Sequence, residues 1–349
     1  MRARVLRWAW WLLGLGLAGA AQAGAPAVPA AAPTQREILR PAHLRSGPAL
    51  YHAVLESLPE GAEVDVLQDG QRWLEVRTAS GLVGWVSARA FLAAPAPSGY
   101  GALLGKPGLP GVSAPVVTMA SRALAPEGPD GLAAVGLELA LSAGAPTAAE
   151  VERLAPPSGP ACRQDEEPAG DPAREAGERR LGLLLGARWL DGARLVTEPA
   201  AARYLGALGL RVAERSSRFD LGWSFALVAD PRPRAVGLPG GLVLLSTGLV
   251  AGLPDEVALA AALGREIARV CLGQGADELS ARLAGPPPVP AARALDEAAR
   301  VLLAPRGPAE DAAAAALGSR WAACAGFSPG PASADGRARF QSFLGRLPR

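Results

Sequence analysis

The sequence predicts an α+β protein in which a small β-barrel precedes a mainly helical domain with a short β-sheet. Three observations lead to this fold class. Residues 36–92 alternate polar and apolar side chains and carry Gly or Pro turns at short intervals, which is typical of short antiparallel strands. Residues 180–346 have mainly helical spacing, apart from an apolar, strand-like stretch at 223–250. The chain of 349 residues is long enough to bury two separate cores.

The composition is that of globular domains and excludes several classes of function. Half of the residues are hydrophobic and 19% are charged, so the chain is not disordered overall. The formal net charge of +2 lacks the basic excess of a nucleic-acid binder, and we expect no nucleic-acid partner. The two histidines, His43 and His52, both lie near the N-terminus. Chemistry that needs an imidazole is therefore excluded further along the chain.

Residues 1–23 have the pattern of a secretory signal peptide. Arg2, Arg4 and Arg7 precede an apolar stretch at 8–20, and residues 21–23 form a small-x-small cleavage site. The apolar stretch is shorter than the roughly 20 residues that span a bilayer. An uncleaved N-terminal anchor is the alternative interpretation. We expect an exported protein, periplasmic or secreted, with no integral membrane segment after signal cleavage.

Changes in composition divide the rest of the chain into five segments. They are an Ala/Pro-rich flexible lead (24–35), a β module (36–93), a Pro/Gly-rich linker (94–130), a helical connector (131–180) and a larger helical domain (181–349). Within the connector, Thr147 and Glu150 have the spacing of a capping box, which predicts that a helix begins there.

The β module contains a set of turns and tryptophans at characteristic places. They are the turns Arg45-Ser46-Gly47-Pro48 and Leu58-Pro59-Glu60-Gly61, the central Trp73, and Gly84-Trp85-Val86. On these residues the module resembles the bacterial SH3 (SH3b) family over its whole length. Since five short strands must close, or nearly close, to bury one face, we expect an SH3-like barrel.

The SH3b resemblance implies a binding module, often for cell-wall peptides or proteins. It makes Tyr51, Trp73 and Trp85 candidate groove residues. The alternative is that Trp73 and Trp85 fill the core or are half-buried, since tryptophan is mostly buried in folded proteins. We interpret His43 and His52 as surface residues, because two histidines without a third partner make a weak metal site.

The helical domain carries an ordered series of short motifs around a helix predicted at 254–272. They are Pro239-Gly240-Gly241, Thr247-Gly248-Leu249, Glu256 and Ala325-Gly326-Phe327-Ser328-Pro329. In this order the domain resembles the M48 family of zinc metallopeptidases. The resemblance implies a zincin-like fold with a His-Glu-x-x-His helix, whose imidazoles bind zinc together with a glutamate from a later helix.

At the implied metal site the chain departs from the family. The two histidine positions are occupied by Arg265 and Arg269, and the third ligand position by Ala313. A guanidinium stays protonated and offers no lone pair to a metal. We therefore expect neither a cofactor nor catalysis here, although active relatives use zinc. A different register would bring Glu310 or Asp311 near the third position.

Glu266 is the remaining residue of the implied catalytic motif. It stands at the position of the general base that activates the zinc-bound water in relatives. The alternative is an ion pair with Arg269, one turn further along the helix, or with the adjacent Arg265.

The three cysteines, Cys162, Cys271 and Cys324, do not predict a metal site. Cys324 lies 11 residues beyond Ala313, or about 16 Å along a helix, and so is far from the implied metal position. We expect buried thiols, or one disulfide with one cysteine left over, and the sequence does not identify the pair.

These observations predict a secreted, M48-like pseudopeptidase that acts as a binding or scaffold protein in the cell envelope. Its partner would be a cell-wall peptide or an extended protein segment, which could pair with a strand edge at 242–245 while Arg265 and Arg269 hold a carboxylate. One alternative is an active zinc-dependent metalloendopeptidase with unrecognised ligands. Another is a cell-wall-binding protein that acts through the SH3b module. The sequence leaves the oligomeric state open.

Overall fold

The protein combines an N-terminal β-sheet with a mainly helical region built around a second, smaller sheet. The computed structural model describes residues 34–93, 129–154, 172–283, 291–328, 330 and 333–348. All of these belong to one unit, Thr34–Arg349. The predicted signal peptide, most of the predicted linker and Cys162 lie outside the described residues. Within the described part of the chain, every helix is too short or too polar to cross a membrane.

The first sheet has six antiparallel strands. They are β1 (Thr34–Glu37), β2 (Ala42–Arg45), β3 (Val54–Leu58), β4 (Glu63–Gln68), β5 (Trp73–Thr78) and β6 (Val83–Ser87), in the order β1-β4-β5-β6-β2-β3. A 3₁₀ turn follows at Ala88–Phe91. Alternate residues of β5 and β6, such as Leu74, Val76 and Val86, point to a small apolar core.

The expectation of a closed barrel was wrong. Strands β1 and β3 are the two ends of the sheet and do not pair with each other. Strand β1, which begins inside the predicted flexible lead, adds a sixth strand by pairing with β4. Closure is not required for burial, because Ile38 and Ala90 cover the apolar face and are themselves buried. The N–H of Leu39 donates to the carbonyl of Ala90, which ties the two segments together.

The helical region contains ten helices and four strands among the described residues. The helices are α1 (Pro129–Ala143), α2 (Ala148–Glu152), α3 (Pro172–Leu190), α4 (Pro199–Ala213), α5 (Thr247–Ala251), α6 (Glu256–Cys271), α7 (Ala276–Leu283), α8 (Ala291–Leu302), α9 (Pro308–Cys324) and α10 (Ala334–Leu344). The strands are β7 (Arg194–Leu195), β8 (Ser224–Ala229), β9 (Ala235–Leu238) and β10 (Leu242–Ser246), in the order β7-β8-β10-β9.

The fully buried strand β10 is the centre of this region. It runs parallel to β8 and antiparallel to β9. Val243 and Leu245 pack with helices α4 and α6, whereas Leu242 and Leu244 pack with α3 on the other side. Because successive side chains of a strand point to opposite faces, an uninterrupted apolar run is what a strand between two helical layers requires.

Several predicted elements are present with shifted boundaries. The capping box of Thr147 and Glu150 is confirmed at the start of α2. The helix predicted at 254–272 is present as α6, which begins at Glu256 and ends at Cys271. The end of the strand-like stretch predicted at 223–250 is instead the short helix α5, which starts where the hydroxyl of Ser246 accepts the N–H of Leu249.

Candidate functional site

Helix α6 carries the three charged residues that the sequence singles out. Asp255 caps its start by accepting the N–H of Ala258 at 2.9 Å. The apolar face of α6 packs into the larger core. Glu266 lies beside this face with its side chain only 3% exposed, Arg269 is partly buried, and Arg265 reaches the surface.

Helix α9 crosses α6 at a pair of glycines. A Cβ atom on either Gly264 or Gly318 would overlap with the backbone of the other helix. The two helices therefore approach more closely than side chains would allow. Asp311 lies seven residues before Gly318, about two turns away on the same face of α9, and so faces α6.

The close crossing creates a network of two guanidiniums and two carboxylates. Arg265 donates to Oδ1 of Asp311 at 2.6 Å. Arg269 donates to the same oxygen, and its Nη1 donates to both oxygens of Glu266 at 2.9 and 3.0 Å. The ion pair between Glu266 and Arg269 that the sequence suggested is thus present. Two positive and two negative groups leave the network without formal net charge.

Burial and pairing act in opposite directions on the two acids. Burial raises the pKa of Glu266, although Arg269, Arg265 and the backbone N–H of Gly237 favour its charged form. Desolvation also disfavours charge on Asp311, but hydrogen bonds and charge from both arginines hold its pKa below the usual value.

The four residues line one wall of a cavity of about 630 Å³. Arg234 also lines it, with its guanidinium 4.1 Å from the centre of the Trp189 ring and paired with Asp230. Because Glu266 and Asp311 already hold Arg265 and Arg269, an external carboxylate must compete with two internal ones.

Ala313 does not join this network. It lies five residues before Gly318, which places it about 140° around the helix from the contact with α6, and it is exposed. Asp311 faces the arginines instead. The sequence feature that indicates the position of Asp311 is its seven-residue spacing to Gly318, because residues seven apart lie on the same face of a helix, two turns from each other.

The strand expected to offer a free edge does not have one. Strand β10, which includes residues 242–245, is paired on both sides, so it has no edge for an extended segment. The strands at the two ends of this sheet are β7 and β9, and β9 is the one next to helix α6. Its Gly237 already donates its N–H to Glu266.

The residues at the implied metal position do not fit zinc. Both histidine positions carry guanidiniums, which have no lone pair to donate. Among the described residues, no three His, Cys, Asp or Glu side chains gather in a set that could hold a metal ion. Cys324 is disulfide-bonded and Cys271 is a buried thiol.

The face of the first sheet opposite its apolar core is called here the outer face. The predicted groove residues of the β module lie on this face or beside it. Trp73 and Trp85 share this face, because they pair with Ser87 and Glu75 across β5 and β6. Trp85 is half-buried, whereas Trp73 is 8% exposed. Tyr51, in the loop between β2 and β3, packs against the core of the helical region, and this burial raises its pKa to about 12.

A segment of the helical region covers Trp73. Phe219 lies with its ring edge-on to Trp73, at 5.8 Å between centroids. The guanidiniums of Arg72 and Arg89 each lie 4.8 Å from the centre of the Phe219 ring. These contacts join residues more than 125 positions apart in the chain and follow no local pattern, so the sequence did not predict them.

Comparison with known proteins identifies the β module. Residues 41–92 match the family model described as Bacterial SH3 domain. No curated protein matches the chain. No metallopeptidase family model matches the helical region. The six-stranded module of this protein therefore contains a bacterial SH3 domain at residues 41–92.

Proposed function

We propose that this protein binds the cell wall through its SH3 domain and that the helical region is a non-catalytic scaffold. The match over residues 41–92, with the sheet that these residues form, carries the binding role. The signal-like pattern at residues 1–23 agrees with export to the periplasm or the exterior, where a cell-wall ligand is found.

For the helical region, we propose a zincin-like domain that has lost zinc and peptidase activity. The motif order supports the resemblance, and the ion-pair network supports the loss. Arg265 and Arg269 provide positive charge where relatives hold a cation, and Asp311 joins them from the neighbouring helix. The network thus connects α6 and α9 through charge, as a bound metal would, but offers no open coordination position.

A co-sedimentation assay with peptidoglycan sacculi tests the binding role. The full chain is expected to pellet with sacculi, and Trp85→Ala is expected to weaken binding at least tenfold, because aromatic side chains supply much of the affinity of binding surfaces. Leu139→Ala, at a 67% exposed position on α1, is the control and should bind like the natural chain. No binding by the natural chain would reject the proposed role.

The second candidate is an active zinc endopeptidase with ligands other than those of the family. The motif order favours this candidate, because it resembles that of active enzymes. It predicts cleavage of casein that stops on addition of a zinc chelator. The scaffold proposal predicts no cleavage above the level of a Glu266→Gln variant, so the assay separates the two.

A further inference from the structure

We propose that the SH3 domain holds an internal ligand: the Phe219–Asp220 pair occupies its recognition site, and peptides with an aromatic residue followed by an acid compete for that site. This inference goes beyond the cell-wall role proposed for the domain: it assigns a peptide ligand to one end of the sheet's outer face, whereas Trp85, which tests the cell-wall role, lies further along that face. The recognition site is defined here as Arg72, Trp73, Ser87 and Arg89, all at one end of the sheet's outer face.

The site binds the aromatic ring of Phe219 from several directions. Trp73 contacts the ring edge-on, and Arg72 and Arg89 place their guanidiniums near it. A cation near an aromatic ring is attracted by the ring quadrupole, and this attraction is stronger when water is excluded. Arg89 has a side chain only 8% exposed, so its contact is largely desolvated.

The same site binds the carboxylate that follows the ring. Arg89 donates to Oδ1 of Asp220 at 2.6 Å, and the hydroxyl of Ser87 donates to Oδ2 at 3.0 Å. Separate donors for the two oxygens favour a carboxylate over a neutral amide. The site therefore recognises two adjacent side chains, one aromatic and one acidic.

The arginines of the site also bind the main chain of the segment. Arg89 donates to the carbonyl of Ser217, and Arg72 donates to the carbonyls of Glu214 and Arg215. These carbonyls follow the end of helix α4, where the chain forms turns. Main-chain contacts of this kind accept many side chains and leave specificity to the ring and the acid.

The helical region anchors the segment from its other side. Arg218 donates to Glu178 of α3 at 2.7 Å, and the indole N–H of Trp223 donates to the carbonyl of Arg218 at 2.9 Å. Arg218 therefore points into the helical region while Phe219 and Asp220 point into the recognition site. The segment can keep its anchor when the SH3 domain releases it.

An open cleft borders the site and gives an incoming peptide a place to enter. The cleft has a volume of about 160 Å³ and is lined by Trp73, Ser87, Arg89, Asp220 and Glu175, among others. Its walls carry several charged groups. A tightly packed apolar interface would resist exchange, whereas this polar contact lies beside the cleft.

Fluorescence anisotropy tests the proposal with a labelled peptide that has the sequence of residues 214–222. The full-length Phe219→Ala/Asp220→Ala variant should bind the peptide at least tenfold more tightly than the natural chain, whose site is filled. A peptide with alanine at the two corresponding positions is the control and should not bind. Equal binding by the natural and variant chains would overturn the proposal.

A second measurement covers the case in which the double variant does not fold. Hydrogen exchange of the natural chain is followed with and without excess unlabelled peptide. Displacement should raise exchange of the amides at 216–220 at least threefold, and unchanged exchange would count against the proposal. Sacculus binding is measured in parallel, so that a failure of the cell-wall role is distinguished from a failure of the internal ligand.

Discussion

The backbones of Gly264 and Gly318 touch where helices α6 and α9 cross, and neither position has room for a Cβ atom. This contact sets the distance at which Asp311 can reach the arginines of α6. Gly318→Ala is therefore expected to destabilise the protein by about 2–3 kcal/mol, because overlapping backbone has to move apart. Urea unfolding followed by circular dichroism measures the change.

Gly136→Ala is the matched control for this substitution. Gly136 lies inside helix α1 with open space where a Cβ atom would be added. Alanine there should be neutral or stabilise by roughly 0.5–1 kcal/mol, because alanine is the better helix former. Similar effects of the two substitutions would show that the helix crossing does not depend on Gly318.

Arg269 connects the two acids of the network, and its removal should be costly. Arg269→Met keeps an apolar stem of similar length but leaves Glu266 buried without its charged partner. We expect a loss of about 3 kcal/mol in the free energy of unfolding, as is typical when one member of a buried ion pair is removed. The same urea titration measures this loss.

Arg265→Gln is the control for the network. Its side chain is 42% exposed, so its loss should cost under about 1 kcal/mol. An equal cost for the two substitutions would contradict the idea that burial makes Arg269 the principal connection between α6 and α9.

Glu175 and Glu214 lie near the contact between the SH3 domain and the helical region, and they predict that the stability of the protein depends on pH. Desolvation raises the pKa of Glu175 to about 7, and Asp220 and Glu178 add to this shift. Desolvation likewise raises the pKa of Glu214 to about 7 against the opposing arginines. The folded chain therefore holds more protons than the unfolded chain between about pH 4.5 and 7.

The free energy of unfolding should consequently fall as the pH rises through that interval and level off above pH 7. For the two acids together we expect a difference of roughly 5 kcal/mol between pH 5 and pH 8. Urea titrations across this range, on the natural chain and on Glu175→Gln/Glu214→Gln, isolate the effect from other groups. If the free energy of unfolding of the double variant changes with pH as steeply as that of the natural chain, groups other than Glu175 and Glu214 cause the pH dependence.

The cysteines should differ sharply in reactivity. Cys271 is a buried thiol, so alkylation should require unfolding, whereas Cys324 should resist alkylation until it is reduced. Mass spectrometry of peptides from the folded, unreduced protein checks both statements and identifies the partner of Cys324. Rapid labelling of Cys271 in the folded chain would contradict its buried position.

Local patterns in the sequence were enough to predict much of this fold. The capping box of Thr147 and Glu150, the alternating strands of the β module and the helix predicted at 254–272 are all properties of a few neighbouring residues. Each depends on hydrogen bonds or spacing within one or two turns of chain, so the sequence specifies it directly.

Contacts between distant elements could not be predicted in this way. The sixth strand of the first sheet depends on β1 pairing with β4, and the cover on Trp73 depends on Phe219 from a different part of the chain. The pairing of Asp311 with the arginines depends on the register of α9 against α6, which the two glycines determine. The resemblance placed Ala313 there instead, because it was based on the order of short motifs and not on which face of α9 packs against α6.

The zinc content of the purified full-length chain, measured by plasma mass spectrometry after incubation with excess zinc and gel filtration, tests the central claim most directly. Since Arg265 and Arg269 are held by Glu266 and Asp311, we predict far less than one zinc ion per chain and no change when Glu266 is replaced by glutamine. One tightly bound zinc ion per chain, whether or not Glu266→Gln retains it, would contradict the account.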